Sequence, residues 1–210
     1  MIIIIWLKLT IEILLERKIL MKKVNLIIIL FILQFAMANS LEGNKIPKSR
    51  IKMLNGKYAK LSDFNQDGPM IINFWTTWWP ACERQAAYLD QLNESFSSAG
   101  LKVLGVNING PTILNQVRPW INKRKINFDI SVDPSSKLAE RFNVRGLPTF
   151  FLVDKNGTVI NQMAGFTDGD EYKYLEELKK YLDSEYIEYE NFDYKKQSKV
   201  KKDATIEIDF

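Results

Sequence analysis

The sequence predicts an α/β fold: a central mixed sheet flanked by helices and entered through an N-terminal β-hairpin. Three observations predict it. Short apolar runs of strand length recur at Met70 to Trp75, Leu101 to Ile108 and Phe150 to Val153, and such runs suit strands buried on both faces. Helical periodicity occupies the intervals, most clearly from Pro80 to Phe96 and from Asp170 to Leu182. Asn-Gly pairs at 55–56 and 156–157 mark tight reversals between strand-like segments. Strands separated by helices imply βαβ crossovers and a partly parallel sheet, to which the hairpins add antiparallel strands.

Taken in order, the elements begin with a targeting segment. Met21-Lys22-Lys23 is a short basic stretch, Val24 to Phe35 an apolar core, and Ala36-Met37-Ala38 an A-x-A cleavage site. Residues 21–38 therefore read as a secretory signal peptide, too short in its apolar run for a comfortable membrane span. Residues 1–20 fit no such plan and read as an upstream extension ahead of the true start at Met21. The other reading is an amphipathic or membrane-anchoring helix over 1–38, and contact with a membrane is expected only if that segment is retained. Residues 39–49 are polar and read as a linker.

The domain itself is expected over 50–183. Arg50 to Leu61 forms a hairpin around Asn55-Gly56, whose expected type I′ turn needs φ > 0 at both residues. Met70 to Trp75 is a buried strand. The helix from Pro80 to Phe96 has a first-turn proline and turns Cys82, Ala86, Leu89, Leu92 and Phe96 inward, leaving Asp90 and Gln91 on other faces. Leu101 to Ile108 is the next strand. Thr112 to Lys123 forms a second helix with Ile113, Val117 and Ile121 inward, and Phe128 and Ile130 start a short strand. Asp133-Pro134 opens a third helix as an N-cap followed by proline, with Leu138 and Phe142 inward. Phe150 to Val153 turns through Lys155-Asn156-Gly157 into Thr158 to Met163, and the last helix carries Leu175, Leu178 and Leu182 on one stripe. Residues 184–210, an acidic aromatic block followed by a lysine run, read as a charged, weakly ordered tail.

Composition excludes several chemistries. The 210 residues contain no histidine and one cysteine, Cys82. Zinc sites built on Cys and His, haem ligated by His, and catalysis by Ser-His-Asp or Cys-His pairs are therefore excluded, as is an intramolecular disulfide. No metal site and no cofactor is expected. The formal charge is +4, but 1–38 holds five Lys or Arg against two Glu, so 39–210 carries 24 − 23 = +1. Nucleic acid is not an expected partner, because the excess basic charge lies in the segment to be removed.

The informative segment is Phe74-Trp75-Thr76-Thr77-Trp78-Trp79-Pro80-Ala81-Cys82. It is a strand running into a helix N-terminus, where free N–H groups and the positive end of the helix dipole can depress a thiol's pKa. Cys82 falls on the inward face of the first turn and is thereby less exposed than position 79.

This stretch resembles the active-site turn of the thioredoxin superfamily, in detail its TlpA/ResA-like branch, which typically reads F-W-A-T-W-C-P-P-C. Gly146-Leu147-Pro148-Thr149, the strand Phe150 to Asp154 with Lys155-Asn156-Gly157, and Asp63 within Leu61-Ser62-Asp63-Phe64 extend the resemblance over about residues 45–183. It implies a thioredoxin-like fold, an exported protein, thiol–disulfide oxidoreductase activity on protein thiols, and a cis proline at Pro148 facing the active-site turn. By position, Trp79 replaces the first, nucleophilic cysteine and Cys82 matches the second, resolving one. Gln85 and Ala87 stand where the branch often has Glu and Pro.

Thiol–disulfide exchange needs one thiolate to attack and a second thiol to release the mixed disulfide, so one thiol does not close the cycle. Three readings follow. The first is a thioredoxin-like protein impaired in exchange that binds extended polypeptide between its tryptophans and Pro148. The residues concerned are Trp78, Pro80, Leu147, Pro148 and Thr149, with Trp75 packed in the core, Trp78 partly buried and Trp79 exposed. The second is a single-thiol oxidoreductase or mixed-disulfide trap using Cys82. The third is an active reductase carrying a Cys-to-Trp lesion or sequence error, since the codons differ by one base. A peroxidase on the same scaffold would need an activated peroxide-attacking cysteine, which the resolving position does not offer.

Overall fold

The computed structural model describes residues 16–30, 40–190 and 192. The chain divides into two compact units, Met1–Ser40 and Leu41–Phe210. In the first, residues 16–30 form helix α1. No described helix is long and apolar enough to cross a membrane. The expected cleavage site at 36–38, most of 1–20 and the lysine run of the tail lie outside the described residues.

The second unit is built on one seven-stranded sheet. Its strands are β1 (Arg50–Met53), β2 (Tyr58–Lys60), β3 (Met70–Trp75), β4 (Lys102–Asn107), β5 (Asp129–Val132), β6 (Thr149–Val153) and β7 (Val159–Ala164), in the order β2-β1-β5-β4-β3-β6-β7. The central strands β3, β4 and β5 run parallel, while β6, β7 and the β1–β2 hairpin join antiparallel. The helices are α2 (Pro80–Ser95), α3 (Val117–Arg124), α4 (Lys137–Arg141) and α5 (Asp170–Ser184). This is the expected central mixed sheet flanked by helices.

The strands are apolar on both faces because both faces are covered. Side chains alternate along each strand. Ile71 and Trp75 of β3, Val103 of β4, and Phe150 and Leu152 of β6 join the core beneath α2 and α5. Met70, Ile72 and Phe74, Leu104 and Val106, and Phe151 and Val153 face the opposite core against Leu138, Ala139 and Phe142. Gly105 is a close-approach position: a Cβ there would lie 2.8 Å from the Phe128 ring and 3.0 Å from Trp75 Nε1.

Several boundaries differ from the sequence expectation, each for a local reason. In the first hairpin only Gly56 has positive φ, at 86°. Gly56 N–H donates to Met53 C=O and Met53 N–H to Lys57 C=O, the pattern of a three-residue loop ending in a left-handed glycine rather than a type I′ turn. The Asn55 side chain accepts from Lys57 N–H at 2.9 Å, which holds Asn55 in an ordinary conformation. The second helix starts late: Pro111–Gln116 is 3₁₀ and α3 begins at Val117. Pro119 has no N–H and its ring crowds the carbonyl four residues back, so it is accommodated only in a first turn. The third helix also starts late, at Lys137. Its N-cap is Ser136 and not Asp133, although Asp133 Oδ2 still accepts from Leu138 N–H at 2.9 Å and Ala139 N–H at 3.0 Å.

Asp90 and Gln91, expected off the buried face of α2, are each 8% exposed. Asp90 is held there by Asn127, whose backbone N–H donates to its Oδ1 at 2.7 Å. Residues 41–49 form a fixed strap instead of a linker. Gly43 N–H donates to Val159 C=O and Ile46 N–H to Gly157 C=O, both at 2.8 Å, and Leu41 and Ile46 pack on the core. Packing also continues past residue 183, where the tail was expected to begin. Phe192 is 5% exposed, its ring 5.7 Å from Phe96, and Tyr189 lies 5.6 Å from the same ring. Within that block Glu188 and Glu190 are exposed, while Tyr189 and Phe192 supply the contacts.

Candidate functional site

The site is the turn joining β3 to α2. β3 ends at Trp75 because that is its last residue in register with a neighbour, opposite Asn107 of β4. Trp79 is the N-cap of α2, extended at φ −95° and ψ 116° with no side-chain cap, and Pro80 follows at the first helical position. Pro80 needs no N–H there, since the first helical N–H groups have no intrahelical acceptor.

The three tryptophans diverge. Trp75 is 1% exposed and packs against Trp120 with ring centroids 4.7 Å apart. The Arg124 guanidinium lies 4.2 Å over the Trp120 ring and pairs with Glu83 at 2.7 Å, so the outer side of this stack is closed by charge. Trp78 and Trp79 are 59% and 45% exposed and meet edge to face at 5.6 Å. Trp79 is exposed as its position predicts. Trp78 was expected to be partly buried and is the more open of the two, because Thr77 and not Trp78 is anchored to the body of the domain.

That anchor is a polar network which sequence reasoning missed. Thr77 N–H donates to Asn109 Oδ1 at 3.0 Å, and Asn109 Nδ2 donates to Thr77 Oγ1 at 2.7 Å and to Ile113 C=O at 3.2 Å. Asn109 is itself held by Asn107, whose Oδ1 accepts the Asn109 N–H at 3.0 Å. Both asparagines are fully buried. The available signal was Asn107-Ile108-Asn109-Gly110, two polar residues closing an otherwise apolar run.

Cys82 is wholly buried. Its N–H donates to Trp79 C=O at 3.0 Å, and its thiol lies against Thr76 and within the core that includes Ala86, Leu89 and Phe150. Burial pushes the thiol pKa up. The Thr76 backbone and hydroxyl and the Cys82 N–H oppose this but are outweighed, and the Thr76 hydroxyl makes no full hydrogen bond of its own. The depressed pKa that a helix N-terminus can confer is thus reversed, since desolvating a thiolate costs more than the dipole returns. One turn further in, Gln85 is fully buried and its Nε2 donates to Tyr174 Oη at 2.9 Å, while its Oε1 has no partner. Tyr174 stacks on Phe150 at 4.1 Å, and burial drives its phenol pKa well above the ordinary range.

Opposite this turn lies the 146–149 loop. The Leu147–Pro148 peptide is cis, and Thr149 pairs with Phe74, which sets the loop beside the end of β3. Leu147 is half-buried and packs, like Ala81, on the core that holds Cys82. Pro148 is buried and its carbonyl accepts from Gly165 N–H at 2.7 Å. Thr149, expected to contact substrate, is 1% exposed and its hydroxyl donates to Gly146 C=O at 2.7 Å; its side chain offers no surface. Trp78, Trp79, Pro80 and Leu147 are the expected site residues with accessible side chains, and Cys82 lies beneath them. Ala87 is exposed on α2, away from the buried Gln85.

The AhpC/TSA family profile matches residues 43–162. Among curated proteins, the thiol-disulfide oxidoreductase ResA of Geobacillus kaustophilus is 33% identical over 138 residues, covering 65% of this chain and 78% of its own length. Among solved structures, StoA from Bacillus subtilis superimposes with a TM-score of 0.53 at 22% identity, covering 63% of this chain and 97% of its own. Peroxidoxin BcpB from Mycobacterium tuberculosis does so at 0.58 and 20%, covering 66% and 96%. At that identity the two structures establish the thioredoxin-like fold and carry no assignment of activity.

Proposed function

The chain belongs to the AhpC/TSA family and is related to the ResA-type thiol–disulfide oxidoreductases, and from that premise we propose that it is an exported member that binds extended polypeptide at its active-site face without completing disulfide exchange. The observation that carries this reading is the contrast at the turn. The sole thiol of the chain, Cys82, is fully buried with a raised pKa, while the position resembling the nucleophile's holds a half-exposed tryptophan. An indole does not attack a disulfide, and Cys82, if it were reached, would be left in a mixed disulfide with no second thiol to resolve it.

The binding part of the proposal rests on Trp78 and Trp79. Two adjoining indoles, edge to face and about half open to solvent, offer an apolar platform. Half-buried Leu147 extends it towards the cis peptide. A peptide bound there would gain apolar contact from the indoles and backbone hydrogen bonds along the loop.

Titration with an unstructured, cysteine-free peptide rich in apolar residues, followed by tryptophan fluorescence, tests this reading. Saturable binding that weakens about tenfold or more in Trp78→Ala/Trp79→Ala is the expected result, since each aromatic anchor contributes on the order of 1 kcal/mol or more. Binding that is absent, or equal in the double variant, overturns the binding role. The export part is tested by sequencing the N-terminus of the mature protein: it should begin at Asn39, and a protein retaining residues 1–38 would be anchored instead.

A further inference from the structure

At the end of the sheet away from the tryptophans lies a cavity of about 710 Å³ lined by Lys45, Ile46, Pro47, Lys48, Arg50 and Lys60, among others. Its position follows from the register: Thr149 of β6 pairs near the active-site turn, and the hairpin turn that walls this cavity lies beyond Val153 at the other end of the strand. We propose that it is a binding site for an amphiphilic organic anion, a phosphate or carboxylate head on an apolar body.

Charge and shape carry the proposal. Four cationic side chains line one concavity, and none of its lining residues is acidic. None of the four is in an ion pair among the described residues. Residues 39–210 carry only +1 in total, so this clustering is local and not a consequence of a basic chain. Like charges held together in a partly enclosed site repel one another, and an anion seated among them relieves that repulsion. The apolar part of the wall is supplied by Ile46, Pro47 and the aliphatic stems of the lysines. The volume falls in the range of small-molecule sites.

The cavity is also preformed. Its three walls are the strap at 45–50, the 3₁₀ turn Leu61–Phe64 with Asn65, and the β6–β7 turn. They are tied to one another: Asn65 Nδ2 donates to the carbonyls of Asp154 and Lys155, Lys45 Nζ to Asn156 C=O and Thr158 Oγ1, and Leu61 N–H to Ser49 C=O. Binding would therefore order little; Lys48 and Lys60 remain to meet the anionic head, while Arg50, also in the lining, has its guanidinium 5.4 Å over the Tyr58 ring.

Isothermal titration of the protein with octyl phosphate, below its micellar concentration, tests the inference, with inorganic phosphate, octanol and phosphatidylglycerol-containing vesicles as parallel titrants. Octyl phosphate should bind more tightly than inorganic phosphate or octanol, and its affinity should fall with added salt. Lys48→Ala/Lys60→Ala should weaken it by about tenfold, as expected for losing two charged contacts, with thermal midpoint and peptide binding unchanged. Octyl phosphate binding no better than octanol would overturn the proposal, as would affinity unchanged by the double substitution. Binding to vesicles without binding of free octyl phosphate would overturn the small-molecule site in favour of a membrane-facing patch. Binding of both, each lost in the variant, would sustain it and identify the headgroup of a lipid as one source of the anion.

Discussion

Trp75 and Trp79 lie four residues apart in one segment, yet they belong to different regions of the molecule. Trp75 is the last paired residue of β3, packed at a tilt against Trp120 and close to Gly105, where a Cβ would crowd the Phe128, Ile130 and Trp75 side chains. Trp79 has left the sheet and stands at the N-cap of α2, nearly half open to solvent. What separates them is Thr77, pinned by Asn109, which ends the core and begins the surface. The same residue type therefore carries stability at one end of the turn and is available for recognition at the other.

The comparison is broken most directly by truncation. Trp75→Ala should destabilise the domain by about 3–5 kcal/mol, as for other fully buried aromatic residues, whereas Trp79→Ala should change stability by less than about 0.5 kcal/mol. Chemical denaturation of the two variants measures both; similar losses would contradict the division. A smaller effect is expected beneath the site. Tyr174→Phe leaves the buried Gln85 Nε2 without its acceptor and should cost about 1–3 kcal/mol. Adding Gln85→Leu should recover part of this, because removing both partners is milder than removing one. Asn109→Ala should cost roughly 1–2 kcal/mol, since it removes the acceptor and donor that hold Thr77, and should increase hydrogen exchange at Thr77 and its neighbours.

The smallest expected effect is a pH dependence. Cys82 has a raised pKa in the folded protein, so it keeps its proton at a pH where the unfolded chain releases one. Its contribution to stability is complete below the unfolded value, about 8.5. It is then lost as pH rises from there towards the folded value, at no more than about 1.4 kcal/mol per pH unit. Between pH 8 and 10 the thermal midpoint should decline less steeply in Cys82→Ala than in the natural protein. The same burial predicts slow reaction of Cys82 with a bulky maleimide, and labelling at the rate of a free thiol would transfer weight to the single-thiol reading.

Much of this organisation was legible in the sequence, because period and turn chemistry act locally. The apolar runs located β3, β4 and β6, and the spacing from Cys82 to Phe96 gave the inward face of α2. What was not legible depends on partners distant in the chain. Asp90 reads as a surface residue until Asn127, 37 positions away, is seen to donate to it. Residues 39–49 read as a linker because the hydrogen bonds that fix the segment are made to residues distant in the chain, among them Arg141, Gly157, Val159 and Gln162. The delayed start of α3 was visible in principle, since Pro119 cannot sit inside a helix begun at Thr112. At the site, the position of Cys82 on the inward face anticipated its burial. The exposure of Trp78 was set instead by the Thr77–Asn109 anchor, whose one trace in the sequence is the pair of asparagines, Asn107 and Asn109, closing an apolar run.

Under the proposed function, exchange is blocked at position 79 of an otherwise thioredoxin-like domain. This is tested most directly by reduction of insulin disulfides with dithiothreitol as regenerant, comparing residues 39–210 of the natural sequence with the same chain carrying Trp79→Cys. The account predicts turnover at background for the natural protein and clear turnover for Trp79→Cys, whose new thiol would stand at the exposed N-cap with Cys82 one turn behind it. Turnover by the natural protein well above background would contradict it, because Cys82 would then be working alone from a site in which it is buried.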